Sequence, residues 1–360
     1  MASARIDSIQ GLRATAALLV VVDHSMSIMI SKGALLNIDS NFAWLFGGIG
    51  VKIFFLISGF IMTVTTHDEF AAPNASRHFL WKRLVRIAPM YWIATTLYAA
   101  RLYLQGAPPH LVPLIFSFLF VPYRNELGTM QPVYGLGWTL NYEMFFYVLF
   151  GLALQFRILS GMSGVIASLI GLVLIVNSGI FVPAPGFAPS MLVFWGDPIV
   201  LFFAGGILIG ALRVRLAGSG RLLPIGIYTA LAGALACILA YIVYMFAGLS
   251  ANQSFNWEIA ACAGPVIFCG LAVDPIRNER LRPLLRALGD ASYSTYLTHG
   301  FLIGPGQRLW FAVFGPRCAA HFILTMIIFC SVVGLVSYRY IEKPLLNILR
   351  GKNSGKPQTT

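Results

Sequence analysis

The sequence predicts an all-α fold: a polytopic membrane helical bundle of about ten transmembrane helices with both termini cytoplasmic. Three observations predict it. Of the 360 residues, 58% are hydrophobic and only 11% are charged, with a mean hydropathy of +0.78. A soluble domain carries roughly 25% charged residues, so the solvent for this chain must be lipid. Apolar runs of the length that crosses a bilayer, about 20 residues, recur from one end to the other. Lys and Arg are also distributed unevenly between alternate loops, as the positive-inside rule requires of a multi-pass protein.

The first apolar run, at 11–31, is too long for the core of a signal peptide, carries Asp23 and His24, and is followed by no small-residue cleavage site; it is expected to be a retained span. The second, 47–66, opens on Gly47-Gly48-Ile49-Gly50 and includes Ser58-Gly59-Phe60. Small residues let helices approach closely, and Ser58 either shares in that packing or faces a ligand. Further spans follow at 87–105, 138–157, 162–182, 198–214, 223–247, 258–274, 291–314 and 318–340. The stretch 110–122 is apolar but holds or adjoins Pro109, Pro113 and Pro122. It is too short to cross and predicts a re-entrant or interfacial segment.

With the N-terminus inside, 19 of the 25 Lys and Arg fall on cytoplasmic segments and five on outer ones, with Lys52 inside a span. An eleventh crossing at 110–122 would invert every later loop and destroy this asymmetry. The net charge of +12 is therefore a topology signal rather than a sign of nucleic-acid binding. The five cysteines show no ligand spacing and lie mostly in apolar runs, so neither a metal site nor a disulfide framework is expected. With no internal repeat, 1–350 reads as a single transmembrane domain and 351–360 as a disordered cytoplasmic tail.

Ionisable side chains within spans are costly and are functional candidates by default. Here they are Arg13, Asp23, His24, Lys52, Glu143 and His299. His24 lies about seven residues from the outer end of span one and Glu143 about six from the outer end of the helix after Trp138, so both sit roughly 10 Å below the outer face. A histidine and a carboxylate at one depth suit general acid–base work, or else hold two helices together. Arg13 is eleven positions before His24, on nearly the same helix face and roughly 16 Å away. It is either a cationic group at the cytoplasmic mouth of a site or a positive-inside flank. Arg83 and Arg86 share a helix face at i, i+3; they can grip phosphates bidentately or contact lipid headgroups.

Taken in order, several segments resemble the membrane-bound acyltransferase family 3. They are Gln10-Gly11-Leu12-Arg13 with Asp23-His24; Gly50-Val51-Lys52-Ile53-Phe54-Phe55-Leu56-Ile57-Ser58-Gly59-Phe60; Arg83-Leu84-Val85-Arg86 with the aromatic run to Trp92; Trp138-Thr139-Leu140-Asn141-Tyr142-Glu143; Leu288 to His299; and Tyr340-Ile341-Glu342-Lys343-Pro344. The resemblance spans nearly the whole chain, and its glutamate motif is most similar to that of exopolysaccharide-type members. Lys52 departs from the pattern, standing where many members carry an acidic residue.

The resemblance implies an O-acetyltransferase of the bacterial inner membrane. It would move an acetyl group from cytoplasmic acetyl-CoA, a substrate and not a resident cofactor, to a hydroxyl of an extracytoplasmic polysaccharide or lipid-linked glycan such as exopolysaccharide or lipopolysaccharide. It implies that His24 is catalytic, that Glu143 belongs to the active site, and that Arg13, Arg83 and Arg86 serve the acyl donor. His24, polarised by Asp23 or Glu143, would either deprotonate an acceptor hydroxyl or carry the acetyl briefly, and Ser58 is a further candidate on the donor's path. The family's fused extracellular hydrolase-like domain has no counterpart here, so the chain is expected to act alone or to pass acyl groups to a separate partner. Membrane lipids are the other expected partners, and a homo-oligomer is left open. A proton-coupled transporter of a lipid-linked sugar or small solute is the second reading, with Asp23, His24 and Glu143 as the relay; the lack of two related halves speaks against it.

Overall fold

The computed structural model describes residues 6–35, 40–125, 128–178, 187–224, 226–246, 251–272, 280–316 and 318–351. The expected tail beyond Gly351 lies outside them, as do Arg5, Arg277, Arg317, Lys352 and Lys356 of the charge count. The described residues form helices and connecting loops, with no sheet among them. In order these are α1 (Asp7–Ser31), α2 (Ser40–Thr66), α3 (Ala75–Leu104), α4 (Leu111–Phe118), α5 (Trp138–Ala153), α6 (Ile158–Asn177), α7 (Phe187–Trp195), α8 (Leu201–Gly218), α9 (Ile227–Phe246), α10 (Ala251–Leu271), α11 (Leu281–Phe314), α12 (Ala319–Ser337) and α13 (Lys343–Gly351), the last two joined by a π-helical turn at Tyr338–Glu342.

Each predicted apolar run falls on one of these helices. Among the described residues, five helical segments are individually long and apolar enough to cross a membrane: Asp7–Ser31, Phe42–Glu69, Ile158–Asn177, Pro198–Gly218 and Ala319–Gly351. Their outward faces are apolar, as Leu324, Ile328, Phe329, Val332 and Val336 on α12 show. Soluble proteins avoid such contiguous exposed patches; lipid makes them favourable. The segment at 110–122 contains only the eight-residue α4, about 12 Å long. Two helices start well before their apolar runs. α3 begins at Ala75 rather than near 87, and α11 at Leu281 rather than near 291. The added turns are rich in Arg and Leu, good helix formers, so the helix continues where the hydropathy signal stops.

The chain packs as two compact units, each discontinuous in sequence. One comprises 1–65 and 205–339, the other 66–204 and 340–360. In the first, α1 packs against α9, α10, α11 and α12. Its start is pinned to α11: buried Asp7 accepts from Arg282 Nε at 3.0 Å and pairs with Arg286, while Ser8 Oγ donates to the Cys269 carbonyl at 3.0 Å. Glycines set the closest helix approaches. A Cβ at Gly50 would lie 2.6 Å from the Ala16 carbonyl, and one at Gly206 or Gly289 would collide with the backbone of Leu56 or Gln10. In the second unit α5 packs between α3 and α6, and α13 lies on α3. An aromatic core fills it: Phe79, Tyr147 and Phe150 meet, Phe146 stacks on Phe203 at 4.3 Å, and Tyr142 stacks on Phe194 at 4.0 Å.

Candidate active site

The first unit carries Arg13, Asp23, His24 and Ser58. Along α1, residues four apart share a face, and two such pairs shape the site. His24 Nδ1 lies 3.0 Å from the Val20 carbonyl. A carbonyl can only accept, so Nδ1 carries the ring proton and Nε2 holds the free lone pair. Ser27 Oγ donates to Asp23 Oδ1 at 3.1 Å, and Asp23 Oδ2 stands 3.8 Å from His24 Nδ1. The His24 side chain keeps 42% of its surface exposed against 14% for Asp23. The sequence thus supplies an exposed imidazole and a more shielded carboxylate beside it. Gly47 of α2 gives that carboxylate room, since a Cβ there would collide with it. Part of the glycine run expected for packing therefore also serves the site.

A second histidine, unassigned in the sequence, completes this arrangement. The His299 ring on α11 lies 4.9 Å from that of His24, edge-on at 73°. Ser58 is buried on α2, beside the point where Gly206 of α8 meets the Leu56 carbonyl and the Gly59 Cα. Arg13 is partly buried near the start of α1.

The second unit carries Arg83, Arg86 and Glu143, and it separates the paired arginines. Arg86 forms an ion pair with Glu342, which is 1% exposed. Arg83 lies two turns inside α3, a consequence of that helix's early start. Its guanidinium sits 5.3 Å from the Phe79 ring centre and 5.8 Å from that of Tyr147, both within cation–π range. Glu143 and Arg86 are within electrostatic reach of Arg83, and the Tyr147 hydroxyl donates to the Glu143 carboxylate. Lys82 reaches Glu69 at 3.9 Å in an exposed pair, and Arg350 of α13 also lies within electrostatic reach of Arg83. The basic cluster is thus sorted into an outer pair, a buried pair and one inward guanidinium.

His24 and Glu143, aligned by depth in the sequence, belong to different units. Tyr147 and Arg83 are among the polar neighbours of Glu143. Sequence reasoning missed Glu342 as the partner of Arg86 and His299 as the neighbour of His24. For Glu342 a signal was present: the chain has only 13 acidic residues, and a carboxylate flanked by Tyr340, Ile341 and Leu345 needs a buried cation. Among the described residues, no group of three or more His, Cys, Asp or Glu is placed to hold a metal ion.

An accessible imidazole with a carboxylate behind it, set in a helical unit whose outward faces are apolar, marks a membrane protein with an ionisable site. The chain belongs to the acyltransferase 3 family, whose acyltransferase domain model matches residues 6–338. The exopolysaccharide production protein ExoZ of Rhizobium meliloti (strain 1021) is 31% identical over 306 residues, covering 83% of this chain and 90% of that protein. Nodulation protein 10 of Rhizobium leguminosarum bv. viciae is 30% identical over 40% of this chain and 43% of its own length. The putative peptidoglycan O-acetyltransferase YrhL of Bacillus subtilis (strain 168) is 26% identical, covering 94% of this chain and 55% of that protein. No solved structure matches the chain. The protein is accordingly an acyltransferase, which displaces the transporter reading.

Proposed function

We propose that this protein is a multi-pass O-acetyltransferase of the bacterial inner membrane, built as one domain over 1–350 with about ten spans and both termini cytoplasmic. It takes acetyl from cytoplasmic acetyl-CoA and places it on a hydroxyl of an extracytoplasmic or lipid-linked glycan, with exopolysaccharide the first candidate because ExoZ is 31% identical over 83% of the chain. The observation that carries the reading is the 3.0 Å contact of His24 Nδ1 with the Val20 carbonyl, which claims the ring's proton and leaves Nε2 to accept one.

The acceptor hydroxyl gives its proton to His24 Nε2, and its oxygen bonds to the thioester carbonyl carbon. The carbon–sulfur bond then breaks, and the CoA thiolate takes the proton to leave as the thiol. Asp23, 3.8 Å from Nδ1, stabilises the imidazolium formed on the way. Arg83 and Arg86 grip donor phosphates. Glu143 and Glu342 aim those two guanidiniums, as their pairing within the second unit suggests. Arg13 adds positive charge for the same anionic donor, and Ser58 contributes a hydroxyl along its path.

The test supplies acetyl-CoA labelled in the acetyl group to inverted vesicles holding the protein, with surface polysaccharide de-O-acetylated by mild base as acceptor. Label is expected in base-labile ester on the glycan, with CoA released in equal amount. Release of CoA with no label on any glycan would overturn the acceptor class. No CoA release at all would overturn the donor.

A further inference from the structure

His299 has no exposed surface; the Thr295 and Tyr296 backbone of its own helix lies within reach of the ring, which can spend its one N–H there, and neither nitrogen reaches any other partner among the described residues. The Tyr296 ring covers it at 5.7 Å, and the His24 ring at 4.9 Å. As pure packing this choice is poor. Phenylalanine or leucine would fill a dry site without leaving polar atoms orphaned, which native folds seldom tolerate. The backbone can take the ring's N–H, so its other nitrogen, an acceptor, is left for a partner that exists only part of the time. His24 supplies one. At rest it has a single N–H, given to the Val20 carbonyl. Once protonated it has two N–H groups and a positive charge, and a second acceptor becomes valuable. An uncharged imidazole fits that need, and burial favours the uncharged ring.

We propose that His299 is a positioning residue for His24, accepting the hydrogen bond that His24 can offer only after it takes up a proton. The inference rests on the reading of His24 as the base. In the transfer, the acceptor O–H bond breaks and its electron pair forms the new bond to the acyl carbon. The proton goes to His24 and is held between the two imidazoles. The carbon–sulfur bond breaks with its electrons on sulfur, and the thiolate collects that proton. With His24 Nδ1 kept on the Val20 carbonyl, it is the His299 ring, edge-on at 4.9 Å, that turns about its own terminal torsion to present its accepting nitrogen.

The experiment measures turnover and both KM values in purified, detergent-solubilised, monodisperse protein, with acetyl-CoA as donor and de-O-acetylated surface polysaccharide as acceptor. His299→Phe keeps the ring and the packing but removes the acceptor atoms. It is expected to lower turnover about tenfold or more while leaving both KM values within about twofold. His299→Gln, whose amide oxygen accepts, is expected to stay within about threefold of wild type. In a His24→Ala background, His299→Phe is expected to cause no further loss, because its partner is gone. Should the phenylalanine variant fail to fold, His299→Leu takes its place with the same expectation. Wild-type turnover in the apolar variant, or a glutamine variant as impaired as it, overturns the inference while an inactive His24→Ala leaves the base assignment standing. An active His24→Ala overturns the base assignment itself.

Discussion

A histidine that spends one nitrogen on a backbone carbonyl has one left for chemistry, and for His24 this is Nε2. His24→Ala is therefore expected to lower turnover by about 10²–10⁴-fold, the usual worth of general base catalysis, in protein that still elutes as a single species. His24→Gln keeps a polar side chain but cannot take the proton, and it is expected to fail as well. Near-wild-type turnover per folded molecule in either variant would overturn the assignment. The two arginines of α3 are expected to part company. Removing Arg86 strands Glu342, which is 1% exposed, and breaking a buried pair from one side costs about 3–5 kcal/mol. Arg86→Ala should thus lower the thermal midpoint, and adding Glu342→Gln should restore part of it. Both substitutions should raise the donor KM by roughly one to two orders of magnitude, the loss of a charge-assisted contact, but Arg83→Ala, which strands no equally buried carboxylate among the described residues, should do so without the same stability loss. Melting curves and donor titrations are the check; equal stability losses, or an unchanged donor KM, would refute this difference. At this scale the sequence exposed the expensive residues but not their partners. Arg86 meets Glu342 across 256 positions and Asp7 meets Arg286 across 279, distances that only tertiary packing resolves.

Helices in a membrane gain nothing by hiding apolar surface from one another, so close approach and polar contacts decide which of them pair. In this chain glycines act as the contact points between elements. Gly50 seats α2 against the Ala16 carbonyl of α1, Gly206 seats α8 against Leu56 of α2, and Gly334 seats α12 against Thr295 of α11. Gly206→Val is expected to destabilise by more than the usual 1–3 kcal/mol of an overpacked core, because the obstacle is backbone and cannot rotate away. Gly164→Ala, where an added Cβ meets nothing within 4 Å, should leave the thermal midpoint unchanged or raised. The comparison, read by fluorescence size-exclusion after a heating series, would refute the contact-point view if both variants melted alike. Element positions were legible because apolar runs report burial in lipid directly. Element ends were less so. Hydropathy stops at the headgroups, whereas the helical backbone of α3 and α11 continues on good helix formers, and this continuation is what carries Arg83 inside α3 rather than before it.

For the whole molecule, the apolar composition and the order of the motifs revealed the class of fold and the family, while the division into two interleaved units leaves no trace in a hydropathy profile. Topology is the property the sequence argues most directly, and it rests on whether the segment at 110–122 crosses. Its helix, α4, has eight residues and spans about 12 Å, against a hydrocarbon core of about 30 Å. A crossing there would also put most of the arginines after it on the outer side, against the charge rule. Two positions test this without touching the proposed chemistry. Cys318, an exposed free thiol just before α12, belongs outside if the segment does not cross. Ser219, exposed in the turn after α8, belongs inside. In intact spheroplasts a membrane-impermeant maleimide is expected to label Cys318 and to lose that label in Cys318→Ser. In the Cys318→Ser background, Ser219→Cys is expected to react only after permeabilisation. The reverse pattern, Ser219→Cys labelled from outside and Cys318 protected, would show that 110–122 crosses and would place the C-terminus outside. Because the two sites lie on opposite sides in either topology, a general failure of labelling cannot imitate either answer.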